Sequence, residues 1–439
     1  MKSSSTRRTI VAAAGVFALA LPLAACSGGD GGGGGEGGAN EISFLTQNTG
    51  TNVAVAEALI EAFEAENDDI TVRLETQPAG TEGDNLIKTK LATGEMEDVF
   101  YYNSGSLFQA MNPDQNLVPL GDEAWAGDLI DTMKPVVSTD NGLYGAPFGA
   151  TQAGAVVYNK KVYADLGLQV PTTWDEFAAN NEAIKEAGIT PVIQTYGDTW
   201  TSQVFVLGDF GNVLAQDPDW AEEYTAGNRK YVDEPALAGF ANQQAGFEAG
   251  WWNEDFASAL YDDGARMVAT GEGAHYPILT GIVSTFQQNF PDELENIGVF
   301  PLPAQNAEDT KLTVWLPNAV YIPKTTEGDK LEAAKTFVAF LNSPEGCEIQ
   351  TTVMVPSGPF ATTACTLPDD VPGLLRDMQP YFDEGNTNPA LEFLSPIKGP
   401  NLENITVEVG SGIREAEDGA ALYDADVVKQ AQQLGLEGW

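Results

Sequence analysis

The chain has 439 residues, 43% of them hydrophobic, with 64 acidic side chains against 21 basic ones and a formal net charge of −43. A surface of that sign repels polyphosphate and anionic lipid rather than neutralising them, which excludes nucleic acid as a partner. The apolar content supplies a sizeable core, and the length favours two domains over one.

The N-terminal residues read as an export signal. Arg7 and Arg8 form a basic start, Ile10 to Leu23 is an apolar run too short to span a bilayer with those flanks, and Leu23-Ala24-Ala25-Cys26 follows. This order predicts a lipoprotein signal over 1–25, cleavage before Cys26 and lipidation of Cys26. An ordinary secretory signal with a chance cysteine is the alternative, and the Arg7-Arg8 pair leaves Sec and twin-arginine export both open. Residues 26–39 are then a lipidated cysteine and a glycine-rich tether, which cannot pack and behaves as coil. Each buried acyl CH₂ contributes about 0.8 kcal/mol, so two or three chains anchor firmly where one does not. Cleavage removes Lys2, Arg7 and Arg8 and no acid. No later apolar segment approaches the roughly 18 residues a span requires.

The folded part opens with a strand at Ile42–Leu45, then a helix with Val55, Ala56, Leu59, Ile60 and Phe63 at helical spacing. Ile70, Val72 and Leu74 alternate as a second strand. A helix from Asp84 to Thr93, stopped by Gly94, leads to a strand from Asp98 to Tyr102. Thr173 and Glu176 have capping-box spacing and open a helix with Trp174, Phe177 and Ile184 on one face, ending at Gly188 before a strand at Pro191–Thr195. Asp329 to Asn342 forms another helix, ended by Pro344. Alternating strands and helices without internal repeats indicate two α/β bodies with parallel sheets.

Catalytic signatures are scarce. His275 is the only histidine, and the chain has no Gly-x-Ser-x-Gly, His-Glu-x-x-His, P-loop or dinucleotide fingerprint, and no zinc-ligand spacing. No catalytic residue, metal or cofactor is expected. Cys347 and Cys365, 18 apart, are the thiols left once Cys26 is lipidated. In an oxidising compartment a bridge between them would add roughly 3 kcal/mol by loop entropy, two buried free thiols being the alternative. Ligands of open α/β sheets collect at the carboxyl ends of strands, which here read Gln47-Asn48-Thr49, Tyr101-Tyr102-Asn103-Ser104 and Tyr196 to Trp200. Aromatic faces beside amides and carboxylates suit a sugar, which presents C–H faces and hydroxyls together.

Tyr144-Gly145-Ala146-Pro147-Phe148, Val156-Val157-Tyr158-Asn159-Lys160, Gly167 and Pro171 to Phe177 stand in the order and spacing of a known family, as do Gly264 to Gly271, Pro301-Leu302-Pro303 and Ala333 to Ser343. The chain resembles the bacterial family 1 extracellular solute-binding proteins, the carbohydrate receptors of ABC importers that include maltose-binding protein. The resemblance implies a type II periplasmic-binding-protein-like fold, two α/β lobes clamping ligand between them. On that analogy one lobe is 40–150 plus 299–342 and the other 151–298 plus 343–439, with crossings near Gly149 to Gln152, Gly298 and Ser343.

The resemblance also implies roles for single residues. Asn48 lies at the first strand end. Tyr102 takes the place of a sugar-stacking aromatic, with Asn103 and Ser104 beside it, and Gln152 the hinge position where maltose-type receptors have a carboxylate. Asp198 and Trp200 match an acid and an aromatic that hold sugar from the second lobe. The family's Gly-x-Trp platform reads Gly271-Glu272-Gly273 here, so Glu272, His275 or Tyr276 is expected to shape the pocket instead. Trp315 and Asn318 flank a further turn toward the cleft. The expected protein is a non-enzymatic, monomeric receptor held by its lipid to the outer face of the cell membrane, passing a mono- or oligosaccharide to ABC permease subunits. A secreted glycosidase and a surface lipoprotein that binds protein partners are the rival classes.

Overall fold

The computed structural model describes residues 40–78, 80–436 and 438–439. The expected signal, the lipidated Cys26 and the tether up to residue 39 lie outside the described residues. The described residues form one compact unit built on two main sheets, with a small two-stranded pair at Ser138–Thr139 and Gly142–Leu143.

In the first sheet, Thr71–Gln77, Glu41–Gln47 and Val99–Tyr102 lie side by side and parallel. Ala319–Tyr321 and Ala146–Pro147 extend it antiparallel. Glu41–Gln47 and Val99–Tyr102, covered on both faces, are buried almost throughout, whereas the edge strand Thr71–Gln77 keeps its alternation. Thr49 caps the helix Gly50–Glu66 by accepting from the Asn52 amide. That helix and Asp329–Leu341 close on the sheet through Phe44, Phe63 and Phe337, with Phe337 centroids 5.4 and 5.0 Å from the other two. Truncating such a ring to alanine typically costs about 3–5 kcal/mol.

The second sheet runs Thr387–Pro389, Leu312–Trp315, Gln152–Asn159, Gly273–Leu279, Thr190–Val192, with Ile297–Phe300 also paired to Gln152–Asn159. The helix Trp174–Glu186 opens with the expected Thr173–Glu176 capping box. The strand expected over Pro191–Thr195 stops at Val192. Beyond it the Gln194 amide is taken by Asn253 Oδ1 at 2.7 Å rather than by a neighbouring strand.

Three segments cross between the sheets. The first is Gly149 to Gln152, between Ala146–Pro147 of the first sheet and Gln152–Asn159 of the second. The other two need correction. Ile297–Phe300 and Leu312–Trp315 both pair with Gln152–Asn159, so they belong to the second lobe and the chain crosses after Trp315, through Leu316–Asn318, not near Gly298. The helix Pro344–Val353 still packs on Gly50–Glu66, and Ala361 to Thr363 still bond to Asp128 to Ile130 of the first lobe, so the last crossing lies between Thr363 and Val371 rather than near Ser343. Both shifts come from pairings distant in sequence, which local patterning does not encode.

Candidate functional site

A cavity of about 650 Å³ lies at the three crossings, walled by both lobes. Of the residues expected at the site, Asn103, Ser104, Gln152, Trp315 and Asn318 line it. Each sits at a strand end or on a crossing segment, where the backbone leaves its sheet and side chains can turn toward the gap. The Trp315 ring packs against Gly154, where a Cβ would stand 2.5 Å from its Cζ3. Tyr101, Phe148 and Phe393 supply the other aromatic faces.

Tyr101, not Tyr102, faces the cavity. Adjacent strand residues point to opposite sides, so one position decides the face. The Tyr101 hydroxyl accepts from Asn318 Nδ2 at 2.5 Å, and its ring stands edge-on to Phe148 at 5.5 Å. Burial raises the Tyr101 pKa above its ordinary value, keeping the phenol neutral. Tyr102 is 2% exposed and turns into the first-lobe core.

Five further expectations fail for identifiable reasons. Asn48 is exposed outside the cavity, while Asn52, one turn into the following helix, lines it. Asp198 Oδ2 is spent accepting the Tyr261 amide at 2.7 Å, at the start of the helix Tyr261–Thr270. Trp200 is 37% exposed, packs 5.7 Å from the Tyr261 ring and does not line the cavity. Glu272 pairs with Arg266 at 2.6 Å on the surface. His275 is wholly buried, with Nε2 2.7 Å from the Tyr163 hydroxyl and Nδ1 2.8 Å from Asn181 Oδ1. Burial pushes its pKa down to about 3, so the ring is neutral at physiological pH.

Tyr101 stands in the strand-end cluster read from the sequence, although Tyr102 was the ring expected to face the sugar; Asn52, Phe148, Gln350, Met354, Ser357, Glu392, Phe393, Lys398 and Gln430 line the cavity without having been expected there. Phe148 belonged to a quoted motif and ends the segment before a crossing, which was a usable signal. Glu392 to Gln430 come from the C-terminal part, where no motif was available. That part closes one edge of the cavity against the first lobe. Gly105 (φ 69°) is so near Glu392 that a Cβ there would stand 2.9 Å from the Glu392 carbonyl oxygen.

The electrostatics of the lining are specific. Glu392 and Lys398, paired at 3.5 Å, are the only ionisable acid and base in it. The remaining polar groups are amides and hydroxyls, and among the described residues the Asn103, Gln152 and Gln430 side chains make no hydrogen bond. Among the described residues no group of three or more His, Cys, Asp and Glu could hold a metal ion, and no helix is long and apolar enough to cross a membrane. Outside the cavity, the structure joins Cys347 to Cys365, with Cα atoms 5.8 Å apart.

Solved structures share this architecture. A chitin oligosaccharide binding protein superposes with a TM-score of 0.72 at 21% identity, over 89% of this chain and 99% of that one. The solute-binding protein RafE in complex with raffinose gives 0.71 at 20%, over 88% and 99%. These likenesses give the fold, a two-lobed type II periplasmic binding fold. In sequence, the multiple sugar-binding protein of Streptococcus mutans serotype c is 31% identical over 150 residues, which is 34% of this chain and 34% of that protein, so the match spans about a third of that relative's length. The melibiose/raffinose/stachyose-binding protein MelE of Bacillus subtilis (strain 168) is 22% identical over 352 residues, 77% of this chain and 79% of that protein. The family described as bacterial extracellular solute-binding protein matches residues 48–346, most of the described chain, and on that match the protein belongs to the bacterial extracellular solute-binding proteins.

Proposed function

We propose that the protein is a non-enzymatic carbohydrate receptor of an ABC importer, which takes up a mono- or oligosaccharide in the cavity and delivers it to the permease. The observation that carries this reading is the composition of the cavity wall. A chain with 64 acidic residues lines its cavity with one carboxylate, already paired to Lys398, and otherwise with amides, hydroxyls, four aromatic rings and aliphatic side chains such as Val55, Leu316 and Met354. A phosphorylated ligand would need a cluster of cations, and a peptide terminus an unpaired counter-charge. A neutral sugar needs what is there: donors and acceptors within reach of flat apolar faces. The sugar-binding names of the relatives point the same way.

Ligand seated on one lobe gains contacts to the other, which shifts an open population toward a closed one that the permease recognises. The protein is monomeric in this reading, works outside the cytoplasmic membrane and is held there by lipid on Cys26.

A thermal-shift screen over galactosides, chito-oligosaccharides and malto-oligosaccharides tests the ligand class. Sugar at 100 times its dissociation constant is expected to add about 2.7 kcal/mol of stability. Calorimetry on the best hit is then expected to show heat of binding with the sugar recovered intact. Released monosaccharide would make it a glycosidase, and no shift with any sugar would refute the carbohydrate reading. For the anchor, Cys26→Ser is expected to move the protein from the membrane fraction to the medium with its sugar binding intact. A Cys26→Ser protein that stays on the membrane would refute lipidation there.

A further inference from the structure

One short helix, Pro344–Val353, fastens two of the three crossings. Cys347 and Gln350 lie three positions apart on it, on one face. Gln350 Oε1 accepts the Gly149 amide at 3.0 Å, while its Nε2 donates to the Leu341 carbonyl at 3.1 Å, so this side chain braces the first crossing. Cys347 is joined to Cys365, and the buried pair packs with Phe360 and against Ala150 of that same crossing.

The loop closed by this crosslink carries part of the cavity wall, Met354 to Ser357, returns to the first lobe at Ala361 to Thr363 and leads directly into the third crossing. Hydrogen bonds tie it to the rest of the hinge. Thr151 donates its amide and hydroxyl to the Pro359 carbonyl at 2.9 and 2.8 Å, and its own carbonyl accepts from Ser357 Oγ at 2.9 Å. Thr280 Oγ1 donates to the Ser357 carbonyl at 2.7 Å and accepts the Ala153 amide at 2.8 Å, carrying the chain of bonds to the second sheet. The helix itself is seated on Gly50–Glu66 of the first lobe.

We propose that the Cys347–Cys365 crosslink is a positioning device for binding: it ties the start of the third crossing to a first-lobe helix, closes the loop that carries Met354 to Ser357, and so fixes those residues against the cavity. An irregular wall segment without this constraint samples more conformations, and ligand must order it on binding. The effect on sugar affinity rests on the carbohydrate reading above; the effect on the hinge does not.

The test compares the exported protein with its Cys347→Ala/Cys365→Ala variant by amide hydrogen exchange without ligand. Exchange at Thr151 and Ala153 is expected to quicken at least about tenfold while Phe44 and Leu45 in the first sheet keep their rates. Raffinose, used as the probe, is expected to bind about tenfold more weakly to the variant by calorimetry. Unchanged exchange at Thr151 and Ala153, or a uniform rise across both sheets, overturns the inference. If raffinose binds neither protein, the exchange result still decides it, and only the ligand is in question. Should the variant not fold, the unmodified protein is treated with a water-soluble phosphine, which reduces the bridge to two thiols as the phosphine takes oxygen from water to become its oxide. The same local pattern is then expected.

Discussion

The cavity and the core around His275 are made of the same kinds of side chain, yet only one of them has binding capacity left. Around His275 the imidazole is fully engaged and faces no gap: Tyr163 and Asn181 take both ring nitrogens, Phe177 and Phe300 pack 5.0 and 5.8 Å from it, and Asn181 Nδ2, without a partner among the described residues, is itself buried. In the cavity, Tyr101, Phe148, Trp315 and Phe393 stand beside amides that are only partly engaged. A buried polar group without a partner is costly, so a core closes its hydrogen bonds internally. A binding wall keeps some open to solvent, ready for a ligand. Polar residues beside aromatics therefore do not mark a site by composition; unspent hydrogen-bonding capacity facing a gap does.

The sharpest test of that contrast uses two tryptophans. Trp315 lines the cavity and Trp200 does not, although the sequence favours Trp200. Losing the burial and stacking of one aromatic removes roughly 2 to 3 kcal/mol, so Trp315→Ala is expected to weaken sugar affinity about 30- to 150-fold, and Tyr101→Ala similarly. Trp200→Ala is expected to change it by less than about threefold. Calorimetry on the folded variants decides. The reverse order would move the site from the cavity to the rim of the second lobe.

Local signals explain what was legible beforehand. The helices Trp174–Glu186 and Asp329–Leu341 were readable because caps and apolar spacing act within a few residues. Asn103, Gln152 and Asn318, which line the cavity, could be singled out in the sequence because strand ends and crossings are local landmarks. The Tyr101/Tyr102 register was not readable: all four residues of Val99–Tyr102 are buried, so no alternation distinguishes the faces. The lobe boundary failed at Ile297–Phe300 because its partner, Gln152–Asn159, lies more than a hundred residues earlier, and the C-terminal wall from Glu392 to Gln430 is likewise brought in by tertiary packing alone.

The sealed core predicts a dependence on pH that the cavity does not share. Burial lowers the folded-state pKa of His275 to about 3, against about 6.5 in the unfolded chain. Between those values the unfolded state binds more protons, so this contribution to stability is complete above pH 6.5 and is lost as the pH falls. The expected loss is about 2 kcal/mol between pH 6.5 and 5. Denaturant unfolding of the wild type and His275→Gln across that range isolates it, because the carboxylates are common to both. The variant should be less stable at pH 7 but have the shallower pH profile, with sugar affinity at pH 7 unchanged. Parallel profiles would mean that His275 is not held neutral.

The smallest expected effect separates two adjacent tyrosines. The Tyr102 hydroxyl is buried and has no hydrogen-bond partner among the described residues. Tyr102→Phe keeps the ring that fills the first-lobe core and removes only that stranded oxygen, so stability should hold or rise by up to about 1 kcal/mol. Affinity should not move, since nothing facing the cavity changes. Tyr101→Phe removes the acceptor of the Asn318 bond and leaves that amide to find another partner. About 1 kcal/mol is at stake there, so affinity should fall roughly fivefold with little change in melting temperature. If Tyr102→Phe weakens sugar binding and Tyr101→Phe does not, the strand presents its other face to the ligand and the cavity wall drawn here is wrong.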